Sequence, residues 1–452
     1  MPGSPHARQP VRKAPGAHPL LGHLIPYRRD PLAFFSSCAN GPGSVTECRL
    51  GGRGYVLNDP ADIRHVLVGN QGNYDKVRRL AGPHARWLRR RSLLTSSGTA
   101  HRRKRRMIQP LFRRPLIEMI AERSRSNTVE LLGGWSEGDE IEIHEAMMSL
   151  AKRNMLETLF DSPSEDLLEA LAEGGGARRR FVQHFHFSAF PMPEYLPIRV
   201  NLDHLKGRRR VHAALAHEIQ ARRRMSHPPQ DLLTMLLEAR GEDGSTMSDS
   251  EVRDEVITYS MTGFETVGES LTWTLFLLAR HPEVDARVTA EARTAFDPEA
   301  PVTPRGPDLP YSRAVFQESL RLYPPTWVYG RLALGKDTLP SGVTVRAGSK
   351  LYLCPFALHR NRRFWDEAER FDPERFLNGS GRGADRYAYF PFGGGRRVCI
   401  GEQVAMAEML TVLATIVDRH RLTLSADQDP TPAPDLTLNP RGGLSMRVER
   451  RD

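Results

Sequence analysis

FGGGRRVCIG, Phe392 to Gly401, runs straight into an apolar-periodic stretch from Glu402 to about His420. Consecutive glycines at Gly393, Gly394 and Gly395 free the backbone from its usual steric limits, so the chain can fold tightly and approach something flat. Arg396 and Arg397 place cations beside Cys399, and the helix that the pattern opens after Gly401 points its positive end back at that sulfur. Both influences favour thiolate over thiol. A thiolate in such a loop, with no second cysteine near it, is a candidate axial ligand for haem iron. The competing reading is a cysteine buried in a turn, where free cysteines often lie.

The spacing separates the two. Phe392, Gly395, Arg397, Cys399 and Gly401 occupy the fixed positions of F-x-x-G-x-R-x-C-x-G, and the segment resembles the haem-binding signature of the cytochrome P450 family. That resemblance implies a mainly α fold with a smaller β-rich part, the α+β triangular prism of the family, in one domain over residues 1–452 with 1–18 as a flexible leader. It implies haem b as cofactor and Cys399 as the metal ligand. Phe392, Arg397, Ile400 and Gly401 then surround the cofactor, with Ile400 against the porphyrin.

Composition allows this. In 452 residues, 39% are hydrophobic and 26% charged, as in a globular protein with a substantial core. No apolar run approaches the ~18 residues of a membrane span, and the basic, Pro-rich start lacks a secretory signal. We therefore expect a soluble, cytoplasmic protein without a membrane anchor. Eukaryotic microsomal members of the family it resembles carry such an anchor, so the resemblance implies a bacterial protein. Cys38, Cys48, Cys354 and Cys399 are scattered and form no CxxC, which argues against a disulfide scaffold or zinc ribbon. The net charge of +10 comes largely from arginine clusters, among them Arg102 to Arg106, Arg178 to Arg180 and Arg222 to Arg224. Most read as solvated helix faces. No nucleic-acid-binding motif accompanies them, and an acidic electron donor is the alternative partner.

Ser248 with Glu251 forms a capping box that opens a helical pattern lasting to Arg280, where His281-Pro282 stops it. At 1.5 Å per residue it is roughly 48 Å long, enough to cross a domain. Its apolar surface predicts burial, yet Glu265 and Thr266 sit at its middle. Thr266 can bond back to the carbonyl of Thr262, and Glu265 can pair with an arginine. The run TGFET also resembles the family's [A/G]-G-x-[D/E]-T, which implies catalytic roles: Thr266 toward iron-bound oxygen, Glu265 toward a proton-carrying water chain. Thr262 departs from the smaller residue usual there.

Other segments fall in the family's order. His101 and Arg105 lie on one helix face and resemble W-x-x-x-R, with His101 in place of tryptophan; the resemblance makes both, with Arg331, contacts of the haem propionates. Glu318 and Arg321 are three apart on one helix with apolar neighbours, so burial and a partner are expected. Arg375 of FDPERF is that partner by resemblance to E-x-x-R and PERF, a structural set and not a chemical one. The helices expected in Ala177 to Arg224 correspond to the lid over the substrate. Together with the strand TWVYGRLAL, they nominate Trp87, Phe185, Met261, Thr262, Trp327 and Val328 as pocket walls. His359 either caps a helix or faces the haem edge, and TLNPRGGLSMRVE reads as a hairpin.

The resemblance thus implies a haem-thiolate monooxygenase. The forms FGGGRRVCIG and RLYPPTWVYGR resemble those of bacterial members that hydroxylate terpenes, carotenoids or fatty acyl chains. That implies a small hydrophobic substrate, a terpenoid first, and a fatty acid or polyketide second. A peroxide-using haem enzyme or a haem redox sensor is the reading from another class. With no flavin or ferredoxin segment in the chain, electrons are expected from a separate ferredoxin and its reductase, or a flavodoxin-type donor. The protein is expected to be a monomer.

Overall fold

A computed structural model describes residues 11–76, 92–187, 196–295, 308–377, 385–425 and 428–451. The long helix runs from Asp249 to Arg280, and both halves of its capping box form: the Ser248 hydroxyl accepts from the Glu251 amide, and the Glu251 carboxylate accepts from the Ser248 amide. From Val267 to Leu278 every side chain on it is buried, so this half passes through the core. Helix Ile143–Leu159 lies along it. Gly268 permits the approach, because a Cβ there would stand 3.0 Å from the Met148 Cα.

The helix behind the cysteine, Glu402–Arg419, packs on helix Arg114–Gly133 and helix Pro282–Ala295. Met406, Leu410, Leu413 and Ile416 join Leu271, Trp273, Phe276 and Leu320 in one apolar cluster. Each such buried side chain contributes about 1.5–3 kcal/mol. That cluster fixes the cysteine helix against the long helix.

The lid pair is helices Glu165–Phe187 and Arg199–Arg224. The first starts well before the expected Ala177 and runs through Gly174, Gly175 and Gly176. These glycines mark a helix crossing rather than a break. A Cβ on Gly174 would fall 2.5 Å from Val211 Cγ2, and one on Gly207 would fall 3.1 Å from the Gly174 Cα. The arginine triplets are likewise not uniformly solvated. Arg178 and Arg222 are buried, the latter between Asp231 and Glu218.

Strands gather at one side in the order Arg12–Lys13, Val45–Arg49, Arg53–Leu57, Lys350–Leu353, Tyr329–Ala333, Tyr74–Lys76. The expected hairpin of Val45 to Leu57 is present, turning at Gly51 and Gly52. Its edge partner, Arg12–Lys13, ties down the end of the leader expected to be flexible through residue 18; the Ala14 amide donates to the Glu47 carbonyl. Antiparallel pairing sets Lys76 opposite Arg331.

The C-terminal hairpin is corrected. Leu438–Pro440 pairs back onto Pro432–Pro434, whereas Ser445–Arg450 pairs with His420–Leu424 and Glu140–Glu142. Gly442 and Gly443, at φ +85° and +83°, turn the chain from one sheet to the other.

The expected triad forms. Arg321 grips Glu318 through Nε at 2.7 Å and Nη2 at 2.8 Å, and its remaining donors go to the carbonyls of His359, Ala368 and Arg370. Arg375 Nε lies 3.5 Å from Glu318. A fully buried ion pair is tolerated when all its donors are satisfied, and this one joins four segments of chain. His359 is buried beside it, accepting the Phe390 amide on Nε2 at 3.0 Å. It caps the short helix Pro355–Leu358. Among the described residues no helix is long and apolar enough to cross a membrane.

Candidate active site

The cysteine loop closes on itself: the Cys399 amide donates to the Phe392 carbonyl at 2.9 Å, and the Val398 amide to Gly395 at 3.1 Å. Gly395 is where glycine is compulsory. Its φ is +65°, and a Cβ would stand 1.8 Å from the Leu67 carbonyl oxygen. The glycine run therefore approaches the protein's own backbone at this position.

Amides of Gly401 and Glu402 point at the Cys399 sulfur, as the helix start predicts, but they do not dominate. Burial pushes the thiol up, the Glu402 carboxylate adds to this, and the two amides with Arg105 only oppose it. The helix start and the Arg105 cation thus act toward thiolate as expected, and burial outweighs them. The nearby cation is also different: Arg105, whose Nη1 donates to the Val398 carbonyl at 2.6 Å. Arg397 turns toward Asp75 and the Ser96 carbonyl, at 3.2 and 2.9 Å.

The sulfur opens into a cavity of about 500 Å³. Phe392, Ile400, Gly401 and Val404 line it beside the cysteine; Met261, Thr262, Glu265, Thr266 and Val267 line it from the long helix. Phe112, Leu116, Ile120 and Met155 add apolar wall from the intervening helices.

At one end the cavity is cationic. His101, Arg105, Arg331 and Arg397 all line it, joined by Lys76. These groups depress one another. Burial and then Arg397 and Arg331 bring Lys76 down to about 7; burial and then Arg397, Lys76 and Arg105 bring His101 to about 4. Arg331 falls to about 10 by burial and Arg397. Asp75 supplies a carboxylate, yet Nη1 of Arg397 stays buried with no hydrogen-bond partner. A buried set of this kind calls for an anionic ligand. The residues fit haem: apolar walls for the ring, cations for its carboxylates, and a thiol on the cavity surface.

The two alternatives weighed for the helix centre are both realised. Thr266 Oγ1 donates to the Thr262 carbonyl at 3.1 Å, and Arg178 Nη2 lies 3.0 Å from Glu265 Oε1. Both side chains nonetheless line the cavity, as does Arg178 from the lid. Thr262 is tied to the Thr258 carbonyl at 2.8 Å and is exposed to the cavity.

The nominated pocket walls divide. Met261 and Thr262 line the cavity. Trp87 and the Phe185 side chain lie outside the described residues. Trp327 and Val328 are corrected: they face away, into a cluster with Phe35 and Tyr352. Trp327 Nε1 donates to the Asp435 carbonyl at 3.0 Å, which holds the indole there. Pro325, Thr326 and Tyr329 line the wall instead. Leu436 and Thr437 come from the C-terminal turn, and Glu408 from the cysteine helix. Burial pushes the Glu408 carboxyl up to about 8 while Asn154 donates to it at 3.0 Å.

The sequence profile of the family described as Cytochrome P450 matches residues 13–446. Cyclooctat-9-en-7-ol 5-monooxygenase of Streptomyces melanosporofaciens is 36% identical over 420 residues, 90% of this chain and 89% of that one. Pentalenene oxygenase of Streptomyces avermitilis is 33% identical over 452 residues, covering 97% of each. Among solved structures, the cytochrome P450DA heme domain superposes with a TM-score of 0.84 at 24% identity over 98% of both chains. A retinoic-acid-bound cyanobacterial member gives 0.84 at 21% identity, over 98% of this chain and all (100%) of that one. The last two speak for the fold.

Proposed function

The chain belongs to the cytochrome P450 family, the haem-thiolate monooxygenases, and from that premise we propose that it hydroxylates a hydrophobic terpenoid in the biosynthesis of a secondary metabolite. The observation that carries this is the one cavity shared by Cys399, the Glu265–Thr266 pair and the cationic end. Haem b is the cofactor we assign, with Cys399 as its ligand. His101, Arg105, Arg331 and Arg397 neutralise its carboxylates, and Lys76 joins them. When bound, the haem supplies the activation of dioxygen by two electrons and two protons, so that R–H becomes R–OH with release of water.

The chain's own residues do the rest. Phe112, Leu116, Ile120 and Met261 exclude water and hold an apolar substrate by burial alone. Thr266 presents a hydroxyl to the cavity that can hold a proton at Oγ1. Glu265 presents a carboxylate beside it, and proton delivery of this kind needs a group placed within hydrogen-bond reach. Electrons come from a separate ferredoxin and reductase in the cytoplasm. In the basic cluster Arg102 to Arg106, a candidate face for an acidic electron donor, Arg102 is exposed, whereas Arg103 is occupied by Glu251 at 3.5 Å and Ser245 at 3.1 Å.

The terpenoid is favoured over a fatty acid or polyketide because the two Streptomyces relatives are named for cyclooctat-9-en-7-ol and pentalenene. The test has two stages. The reduced, carbon monoxide-bound protein should absorb as a thiolate-ligated haem; a spectrum like that of a histidine-ligated globin rejects Cys399. A panel of cyclic terpenes, fatty acids and polyketides should then show a substrate-induced change in the haem spectrum with terpenes first. Thr266→Ala should keep electron consumption and divert it to hydrogen peroxide; an unchanged product yield per electron rejects that role.

A further inference from the structure

One helical turn beyond Glu265 on the same face of the long helix stands a second carboxyl, Glu269, which the reading above leaves unused. It is 2% exposed and touches two other elements. Its Oε1 lies 3.2 Å from Nε2 of His144 on helix Ile143–Leu159, and accepts from the Thr437 hydroxyl at 3.4 Å. Thr437 lines the cavity. His144 reaches the opposite way, with 24% of its side chain exposed. The other carboxyl oxygen of Glu269, Oε2, is buried without a hydrogen-bond partner. Three groups that each can both take and give a proton thus run from solvent to the cavity wall.

We propose that His144, Glu269 and Thr437 form the entry path by which protons from bulk water reach the cavity that holds Glu265 and Thr266. The proposal rests on the monooxygenase reading and adds residues to it. Protonated His144 gives its Nε2 proton to ionised Glu269, leaving both neutral. Glu269 then protonates the Thr437 hydroxyl as that hydroxyl releases its own proton to the cavity, and His144 recovers one from water. Each passage moves one proton inward and returns all three groups to their starting charges. His144 and Glu269 do not touch the reacting atoms, so they are positioning residues for the proton.

The charges around the path suit it. Burial works against charge on His144, but Glu269 and Glu142 outweigh it and raise the imidazole above its ordinary value, with Arg179 opposing. Burial raises Glu269 too, and Glu265 adds to this, while His144 and Thr437 oppose. Arg178 offsets the charge of Glu265 through their 3.0 Å contact. The carboxyl is thereby raised to hold a proton more readily than an ordinary glutamate, as a group that relays one must.

The test uses the haem-loaded enzyme with an accepted substrate, and Glu269→Gln and His144→Gln beside wild type. The expected result is a fall in product per electron of about tenfold, below the ~10²–10⁴ lost with a direct proton donor. A larger solvent isotope effect should accompany it, with haem content and substrate-induced spectral change retained. Coupling in wild type should decline on an alkaline limb whose midpoint matches the His144 titration seen by NMR. That limb should vanish in His144→Gln, and Glu269→Gln should move the NMR midpoint down. A purely structural clamp would leave coupling without that limb. Unchanged coupling in both variants, or an alkaline limb that persists in His144→Gln, overturns the path. Should Glu269→Gln fail to fold, the half-buried His144 variant decides alone. If Thr266→Ala uncouples and these variants do not, only the path falls; if Thr266→Ala also leaves coupling intact, the proton-delivery reading falls with it.

Discussion

Arg178, from the helix that lies over the cavity, places Nη2 3.0 Å from Oε1 of Glu265 at the middle of the long helix, with 6% and 17% of the two side chains exposed. Burial lowers the affinity of the Arg178 guanidinium for its proton, and Glu265 opposes that loss. Breaking a buried pair strands the remaining charge, whereas removing both partners leaves apolar contact. We expect Arg178→Met to cost about 3 kcal/mol, the lower end for such pairs because the cavity is at hand. The double variant Arg178→Met/Glu265→Gln should be more stable than the sum of the two singles. Thermal unfolding of all four proteins measures this, and additive losses would show that the contact contributes nothing.

Glu408 gives a pH dependence with a defined sign. Its folded-state carboxyl is pushed from the usual 4.5 up to about 8 by burial, with the Asn154 hydrogen bond only opposing. Between those values the folded state keeps a proton that the unfolded chain has released, so stability falls as pH rises through the window and levels off above it. Glu408→Gln retains an acceptor for Asn154 and removes the proton. The variant should gain on wild type steadily from about 4.5 to about 8, and urea midpoints across that range would show it. Part of the slope will remain, since Glu255 is likewise pushed up to about 8.

The cationic end of the cavity predicts how haem is held. Lys76 donates to the Leu94 carbonyl at 2.7 Å and, brought down to about 7, is poised to gain a proton when an anion arrives. Haem binding near neutral pH should therefore draw a proton onto Lys76, while the Cys399 thiol gives one up on becoming a ligand. Lys76→Met should then release more protons than wild type, seen as a difference in how the two binding heats change with the ionisation enthalpy of the buffer. Lys76→Met should weaken retention by roughly 1.5–3 kcal/mol, the value of a hydrogen bond to a charged group. Transfer of haem to an excess of apomyoglobin measures the loss. A variant that holds haem as wild type does would remove Lys76 from the site.

That lysine shows where local patterns stop. Its place opposite Arg331 depends on pairing between strands remote in sequence, and nothing near Lys76 announces it. The ends of the long helix, by contrast, are written in Ser248, Glu251 and His281-Pro282, because caps act within a few residues. Trp327 misled because the strand begins only at Tyr329, so the residues before it do not alternate as strand residues do. Arg178 sits in a triplet that reads as solvated, and only the crossing at Gly174 and Gly207 brings its helix over the cavity. Glu318 and Arg321 were legible as a pair because three residues on a helix fix their contact; the carbonyls that complete Arg321 come from another segment of chain.

The three glycines of the cysteine loop should not respond alike. Gly393, at φ +73°, has room for a Cβ, its nearest neighbour being Tyr329 at 3.7 Å, so Gly393→Ala meets only the left-handed penalty of about 1–2 kcal/mol. Gly394 has an ordinary extended φ, and a Cβ there would press on the Tyr387 ring at 2.8 Å, which the side chain can relieve by moving. Gly395 combines φ +65° with a Cβ 1.8 Å from a backbone oxygen, and the Leu67 carbonyl belongs to the helical turn His65–Gly69. Relief there requires the whole loop to shift, carrying Cys399 with it. Gly395→Ala should lose haem content altogether, while Gly393→Ala and Gly394→Ala keep it with a lowered melting temperature. The ratio of Soret to protein absorbance in the three purified variants ranks them, and a fully loaded Gly395→Ala would mean that the loop is not set by its contact with Leu67.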